Sequence, residues 1–113
     1  MDKQWGAFAD VFGVTPRNRI LEFFLEMREL DFSIGDVAKE IGLNRATTYN
    51  MMEELTKEGY IITTRKVSGG QLYKLNLEKE EVKVLIKSFN FILKGIVNEY
   101  HQQEEKPRRK IYA

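Results

Sequence analysis

The apolar residues follow two different periods, and the change from one to the other separates helical segments from a hairpin. Where they recur every three or four residues they mark one face of a helix, whereas alternation or a β-branched run marks a strand. The helical spacing predicts helices over residues 2–12, 16–29, 34–41, 45–58 and 78–104. Residues 60–66 and 71–77 have strand character and flank the turn Val67–Gly70, which predicts a β-hairpin.

Local signals predict where these helices begin and end. Ser33 followed by Asp36 is a capping pair, and Asn44 is a strong N-cap. Thr15 and Pro16 start the second helix. Glycines at 13, 42 and 59 end three helices, and Pro107 is expected to end the last one.

The spacing within the second helix predicts which side chains face the core. Ile20, Phe23, Phe24 and Met27 are expected inward. Glu22 and Glu26 are expected in water with Arg19.

The order of elements predicts a mainly α fold with a small β-hairpin. Asp31–Phe32 is a short extended stretch, and a helix-turn-helix followed by a two-stranded wing occupies residues 17–77. Extra helices at 2–12 and 78–104 complete a single winged-helix domain over 1–104, and residues 105–113 form a flexible basic tail.

Composition narrows the functional classes. The chain has 113 residues, which suits one domain, and no cysteine, so thiolate metal sites and disulfides are ruled out. The single histidine, His101, has no catalytic constellation around it, and no phosphate-binding glycine loop is present, so we expect neither an enzyme nor a cofactor or metal. No long apolar run or signal-peptide core is found, so we expect no membrane association and a cytoplasmic location.

The predicted helix 45–58 begins with small and hydrogen-bonding residues, which bury little surface. At 100° per residue the buried face holds Thr48, Met51, Met52 and Leu55, while the early polar residues face outward. Arg can bind guanine, Asn can bind adenine, and small residues allow close approach in the major groove. The candidate DNA-reading residues are Asn44, Arg45, Ala46, Thr47, Tyr49 and Asn50. Taken alone, this stretch is equally consistent with a well-capped helix start.

The predicted wing carries two cations before a flexible tip. Such a hairpin can lie along the DNA backbone or in the minor groove, although an ordinary solvated hairpin would look similar. The net charge is only +1, so the charge distribution alone does not decide. The candidate wing contacts are Arg65, Lys66, Ser68, Gly69, Gly70 and Gln71. The wing and the polar helix start, in this order, together favour DNA binding.

These motifs carry a family resemblance. The stretch FSIGDVAKEIGLNRATTYNMMEELTKEGYIITTRKVSGGQLYKLN resembles the winged helix-turn-helix of bacterial and archaeal transcriptional regulators in the broad MarR, ArsR, PadR and TrmB-like group. The resemblance implies that Arg45, Ala46, Thr47, Tyr49 and Asn50 face the major groove and that residues 65–71 form wing contacts. Glu53 and Glu54 depart from a simple DNA-binding face: either the helix leaves the groove by then, or Glu53 reads a cytosine amino group.

The flanking helices have more apolar positions than a small domain needs, which predicts a symmetric dimer. The alternative is that they only cover their own core. The candidate dimerisation residues are Trp5, Phe8, Phe12, Leu85, Phe89, Ile92, Leu93 and Ile96. The expected function is therefore a dimeric, sequence-specific double-stranded DNA-binding transcriptional regulator, most simply a repressor. The alternative function is a winged-helix protein–protein interaction module in a transcription or replication assembly.

Overall fold

The computed structural model of the chain describes the backbone of residues 5–112 and the side chains of residues 5–98. It contains five helices and a three-stranded sheet within that range, which confirms the predicted mainly α winged-helix class. The helices are α1 (Ala7–Phe12), α2 (Pro16–Glu26), α3 (Ile34–Ile41), α4 (Arg45–Lys57) and α5 (Glu80–Tyr112). The strands are β1 (Phe32–Ser33), β2 (Ile61–Val67) and β3 (Gly70–Leu75).

The predicted caps of the two helices in the helix-turn-helix are confirmed. The Ser33 hydroxyl accepts a hydrogen bond from the Asp36 amide at 3.1 Å, and the Asp36 carboxylate accepts from the Ser33 amide at 3.4 Å. Asn44 Oδ1 accepts from the Thr47 amide at 2.8 Å. Gly42 ends α3 with a φ of 69°, a left-handed conformation that glycine adopts without steric cost. The turn between α3 and α4 is thus specified locally.

The sheet has the strand order β1-β3-β2, and all pairs are antiparallel. The extended stretch predicted at Asp31–Phe32 becomes β1, which is shifted by one residue and pairs Phe32 with Tyr73. The predicted hairpin is present, but its strands cover 61–67 and 70–75 rather than 60–66 and 71–77, so Val67 and Gly70 pair instead of lying in the turn. The pairing is interrupted between Thr63 and Lys66. The interruption places a bulge in the middle of the wing.

The core lies where α2 crosses α3, α4 and the root of the sheet. Ile20, Phe24 and Leu25 of α2 are fully buried. They pack in one cluster with apolar residues from the other elements, among them Val37, Met52, Leu55, Ile61, Leu75 and Val82. Burying these side chains is the main force that fixes α4 and the wing on the same scaffold.

Three predictions for α2 are wrong: its C-terminal end and the positions of Met27 and Glu22. The helix ends at Glu26 rather than near residue 29, and Met27, which was expected inward, is exposed. Glu22, expected in water, is 95% buried because its carboxylate accepts the backbone amides of Gly6 at 2.6 Å and Ala9 at 3.0 Å. Amides at the start of a helix have no partner within the helix, so a buried carboxylate that accepts them is satisfied.

Arg19 also differs from its predicted position. It is half-buried and donates a hydrogen bond to the carbonyl of Ile41, at the end of α3. Its guanidinium lies 5.8 Å from the ring centre of Trp5. Arg19 therefore joins α2 to α3 instead of facing water.

The terminal helices differ in extent from the predictions. α1 begins at Ala7 instead of residue 2, and residues 1–4 lie outside the described part of the chain. α5 continues through Pro107 to Tyr112, so the helix end predicted at 104 is wrong. An interior proline costs about 3 kcal/mol, because it removes one backbone donor and its ring crowds the carbonyl four residues earlier. The residues around it, Gln, Glu, Lys and Arg, are good helix formers and favour the helix on either side.

Candidate nucleic-acid interface

The first turns of α4 present a polar, mostly exposed surface. Thr48 is fully buried, and its hydroxyl donates to the Asn44 carbonyl at 2.9 Å, which turns this side chain away from solvent. The six candidate reading residues are exposed, except for Thr47, which is half-buried: Asn44, Arg45, Ala46, Thr47, Tyr49 and Asn50. All six therefore lie at or beside the accessible N-terminal end of one helix.

Arg45 leans back from this end toward α3. Its Nη1 atom lies 3.4 Å from the position that a Cβ atom would take at Gly35. Ser33, the cap of α3, is close by on the same side. The Arg45 guanidinium thus rests over the first turn of α3, past the end of its own helix.

Tyr49 and Glu53 lie on the side of α4 that is near Tyr73 of the sheet. Burial raises the pKa of the Tyr73 phenol on β3, and its electrostatic interactions with Tyr49 and Glu53 of α4 raise it further. Glu53 is exposed on the flank of α4 that faces the wing. Glu53 therefore places its negative charge on the side of α4 near the sheet, two turns after the helix start.

The C-terminal end of α4 is fixed to α2 by Arg17. The Arg17 guanidinium lies 3.3 Å from Glu54 Oε1 and 2.6 Å from Glu58 Oε1. It also lies 5.3 Å from the ring centre of Tyr60, at the root of the wing. Glu54 is therefore paired at the surface with a cation of its own chain, which offsets its repulsion of an anionic ligand.

The wing holds an ion pair that sequence reasoning missed. Asp31 accepts hydrogen bonds from Arg65 Nε at 3.1 Å and from the Thr64 hydroxyl at 2.7 Å. The Arg65 guanidinium and the Thr64 hydroxyl hold the pKa of Asp31 below its ordinary value, and Asp31 raises the pKa of Arg65. The partners are more than 30 residues apart, so no local pattern indicates the pairing.

The remaining wing residues differ in how freely they face solvent. Lys66, Ser68, Gly69 and Gly70 are exposed. The Gln71 amide donates to the carbonyls of Arg65 at 3.1 Å and Leu72 at 3.0 Å, so it braces the hairpin from within. Of the two tip glycines, only Gly70 has a positive φ, of 113°.

The predicted dimerisation residues fall into three groups by burial. Phe8 and Phe89 belong to the core of the domain, with their ring centres 6.4 Å apart. Trp5, Leu85 and Ile92 are half-buried, whereas Phe12, Leu93 and Ile96 are exposed. Two further exposed apolar side chains, Val11 and Phe91, border a shallow groove of about 450 Å³ between α1 and α5.

Within the part of the chain that the structure describes, no set of three or more His, Cys, Asp or Glu side chains is arranged to bind a metal ion. None of the described helices combines the length and apolar character needed to span a bilayer.

Residues 19–64 match the model of the IclR helix-turn-helix domain. The matched range runs from the first turn of α2 through α3 and α4 into β2. No curated protein matches the chain in sequence.

Several solved structures share the fold at low sequence identity. A mutant of MepR from S. aureus, bound to an oligodeoxyribonucleotide, is 14% identical, with a TM-score of 0.61 over 93% of this chain and 78% of that one. The adhesin competence repressor AdcR from Streptococcus pyogenes is 15% identical, with a TM-score of 0.60 over 87% of this chain and 71% of that one. A possible transcriptional regulator from Methanosarcina mazei Go1 is 14% identical, with a TM-score of 0.54 over 82% of this chain and 78% of that one.

The capped α3–turn–α4 unit, the three-stranded sheet and these similarities lead to one conclusion. The chain is a winged helix-turn-helix protein, and its helix-turn-helix is similar to that of the IclR type.

Proposed function

We propose that the protein is a sequence-specific double-stranded DNA-binding transcriptional regulator that acts as a dimeric repressor in the cytoplasm. One observation carries the proposal: the exposed, polar N-terminal end of α4 shares a scaffold with an exposed wing that bears cations. The similarity to regulators, one of them in complex with an oligodeoxyribonucleotide, supports it. The finer grouping with MarR, ArsR, PadR and TrmB-like regulators remains a prediction from the sequence.

The reading surface follows from the chemistry of base edges. Asn50 is exposed on α4 and can make the two-point contact with adenine that asparagine prefers. Arg45 can reach guanine or a phosphate from the helix end. Ala46 and Thr47 have small side chains, so the backbone of α4 can come close to the base edges in the major groove.

The wing supplies contacts that do not depend on base sequence. Lys66 is exposed beside the tip formed by Ser68 and Gly69. A lysine in this position can neutralise a backbone phosphate and release its counterion, which contributes affinity and salt dependence. Helix and wing would thus divide recognition into specific and non-specific parts.

The dimer proposal rests on a continuous apolar stripe along α5. Phe89, Leu93 and Ile96 lie on one face because they are spaced four and three residues apart. Phe89 is covered by its own domain, but Leu93 and Ile96 are exposed because the helix continues past that domain. A second copy related by two-fold symmetry would cover them and place two α4 helices on half-sites about 34 Å apart.

Fluorescence anisotropy on a labelled random-sequence 30-base-pair duplex tests DNA binding. We expect micromolar binding that weakens steeply between two salt concentrations, because each phosphate contact contributes about 0.9 to the logarithmic salt slope. Site selection followed by footprinting would then identify the operator. An absence of binding at low salt would contradict the proposal and favour a protein–protein interaction module, which the exposed Glu53 would suit better.

A further inference from the structure

The bulge in β2 changes the direction of two neighbouring side chains. Thr63 pairs with Tyr73 and Lys66 pairs with Gln71, so Thr64 and Arg65 together face the single residue Leu72. In a regular strand, consecutive side chains point to opposite faces of the sheet. A bulge breaks this alternation and can redirect a side chain.

Both redirected side chains hold the same carboxylate. Asp31, which precedes β1, accepts from the Thr64 hydroxyl at 2.7 Å and from Arg65 Nε at 3.1 Å. A third bond, from Arg65 Nη2 to Asp31 Oδ1 at 3.4 Å, completes a two-point contact with the guanidinium. The Gln71 amide holds the Arg65 carbonyl at 3.1 Å, so the backbone of the bulge is braced as well.

Asp31 orients the guanidinium of Arg65 but leaves it exposed to solvent. Asp31 uses the edge formed by Nε and Nη2, yet the Arg65 side chain remains 68% exposed, against 20% for Asp31. Its other terminal nitrogen, Nη1, is left on the side away from the carboxylate. An arginine held in one orientation loses less side-chain entropy when it makes a further contact.

We propose that Asp31 is a positioning residue for DNA binding, which acts through the bulge to hold Arg65 ready for a backbone phosphate. The inference rests on the proposed function and deepens it. A carboxylate so close to a DNA-binding wing repels phosphate, so its presence there requires a gain that offsets the repulsion. That gain is the fixed direction of Arg65, which a free arginine on an exposed strand would not have.

A double-mutant cycle measures whether Asp31 acts through Arg65. The dissociation constants of the full chain for the random-sequence duplex are measured for wild type, Asp31→Ala, Arg65→Ala and the double variant. Glu29→Ala removes an equal charge from an exposed position outside the wing and serves as the reference. Lys66→Ala, alone and combined with Asp31→Ala, is the matched control, because Lys66 is the next residue along the same strand.

Relative to Glu29→Ala, we expect Asp31→Ala to weaken binding about threefold or more, within the range of coupled neighbouring residues. The loss should vanish in the Arg65→Ala background and persist in the Lys66→Ala background. Arg65→Ala should reduce the salt slope by about 0.9. An equal loss from Asp31→Ala in the Arg65→Ala background, or tighter binding in every background, would overturn the proposal.

A second measurement follows the hydrogen bonds between Arg65 and Asp31 directly. The Arg65 Nε–H signal in nitrogen-15 NMR spectra should shift in Asp31→Ala and keep its wild-type position when DNA is added. A move of this signal to the Asp31→Ala position on DNA addition would show that phosphate displaces the carboxylate, which contradicts a positioning role. If wild type binds with a steep salt slope but shows no coupling, only this inference fails. If wild type does not bind, the proposed function fails with it.

Discussion

Arg17 and Glu58 form a two-point ion pair between α2 and the C-terminal cap of α4. Arg17 Nη1 lies 2.6 Å from Glu58 Oε1, and Nη2 lies 3.0 Å from Glu58 Oε2. The hydrogen bond to Glu58 is the main reason why the pKa of Arg17 is raised. The pair fixes the far end of the proposed reading helix, while Asn44 caps its near end.

We predict that Arg17→Met lowers the free energy of unfolding by about 1 kcal/mol, the upper end for partly exposed ion pairs, because Glu54 also loses its partner. Urea denaturation at low and high salt measures the change. The effect should shrink as salt screens the pair. A Glu58→Gln variant should lose less stability than Arg17→Met, and its loss should also shrink as salt is added. If the loss in Arg17→Met does not depend on salt, Arg17 stabilises the fold by packing rather than by charge.

We predict that Asn50→Ala weakens binding to a selected operator by roughly 1–3 kcal/mol and relaxes the preference at one base pair. The reason is the loss of a two-point contact with adenine. Anisotropy on the operator and on single-base variants of it provides the measurement. Lys57→Ala, exposed at the other end of α4, is the control and should leave base preference unchanged. Unaltered affinity in Asn50→Ala would place the reading face elsewhere.

We predict that Glu22→Ala lowers the free energy of unfolding by about 2–4 kcal/mol, because two largely buried amides lose their acceptor. Trp5 is the only tryptophan and precedes α1, so its fluorescence should report whether α1 leaves the domain first. Glu22→Gln retains one acceptor oxygen and should lose less. Equal losses for Ala and Gln would mean that the negative charge, rather than the acceptor, is needed.

Glu26→Gln is the matched control, one turn further along α2. Burial raises the pKa of Glu26, and the charge of Glu22 raises it further. A carboxyl whose pKa is raised in the folded state favours folding most below its unfolded pKa of about 4.3, and that benefit is lost as the pH rises through the folded pKa. We therefore expect Glu26→Gln to be neutral or slightly stabilising at pH 7, by less than about 1 kcal/mol.

We predict that Gly70→Ala destabilises the wing by about 1 kcal/mol, whereas Gly69→Ala has little effect. No described atom lies within 4 Å of the position that a Cβ would take at either residue, so space does not distinguish them. Only Gly70 has a positive φ, which strains any residue with a Cβ. Hydrogen exchange of the β2 and β3 amides measures the difference. Equal effects would show that the tip adapts its backbone.

We predict that Ile96→Glu converts a dimer into a monomer of 13.3 kDa, because it places a charge on the uncovered part of the α5 stripe. Light scattering after size exclusion, at micromolar concentration, measures the mass. Asn98→Glu places the same charge on the opposite face of α5, since two residues of helix turn by about 200°. If Asn98→Glu disrupts the dimer and Ile96→Glu does not, the exposed Phe91 side of the helix forms the interface.

The features predicted correctly from the sequence are those encoded within a few residues. The Ser33–Asp36 capping box, the Asn44 cap and the inward position of Thr48 all follow from short spacings. Glu22 was placed wrongly because a charged residue in an amphipathic helix is usually solvated. Its real partners are the amides of a helix that precedes it by 13 and 16 residues. Long-range pairing by a buried charge leaves no periodic signal.

In the candidate interface, too, features set by nearby residues could be predicted and features set by distant residues could not. The exposed start of α4 could be predicted because helical periodicity assigns each residue to a face. The fixed position of Arg65 could not, because it depends on a bulge and on Asp31, 34 residues away. Gln71 was predicted as a DNA contact from its place in the wing, but its amide is engaged with two carbonyls of the hairpin.

The bulge also bears on how copies of the protein behave in concentrated solution. β2 lies at the edge of the sheet, where unpaired backbone groups can recruit a strand from another molecule and start aggregation. The bulge interrupts that edge, and the charges of Arg65 and Lys66 stand beside the interruption. Because a flat run of free amides and carbonyls is thereby broken, the wing can stay exposed without seeding strand-by-strand polymerisation.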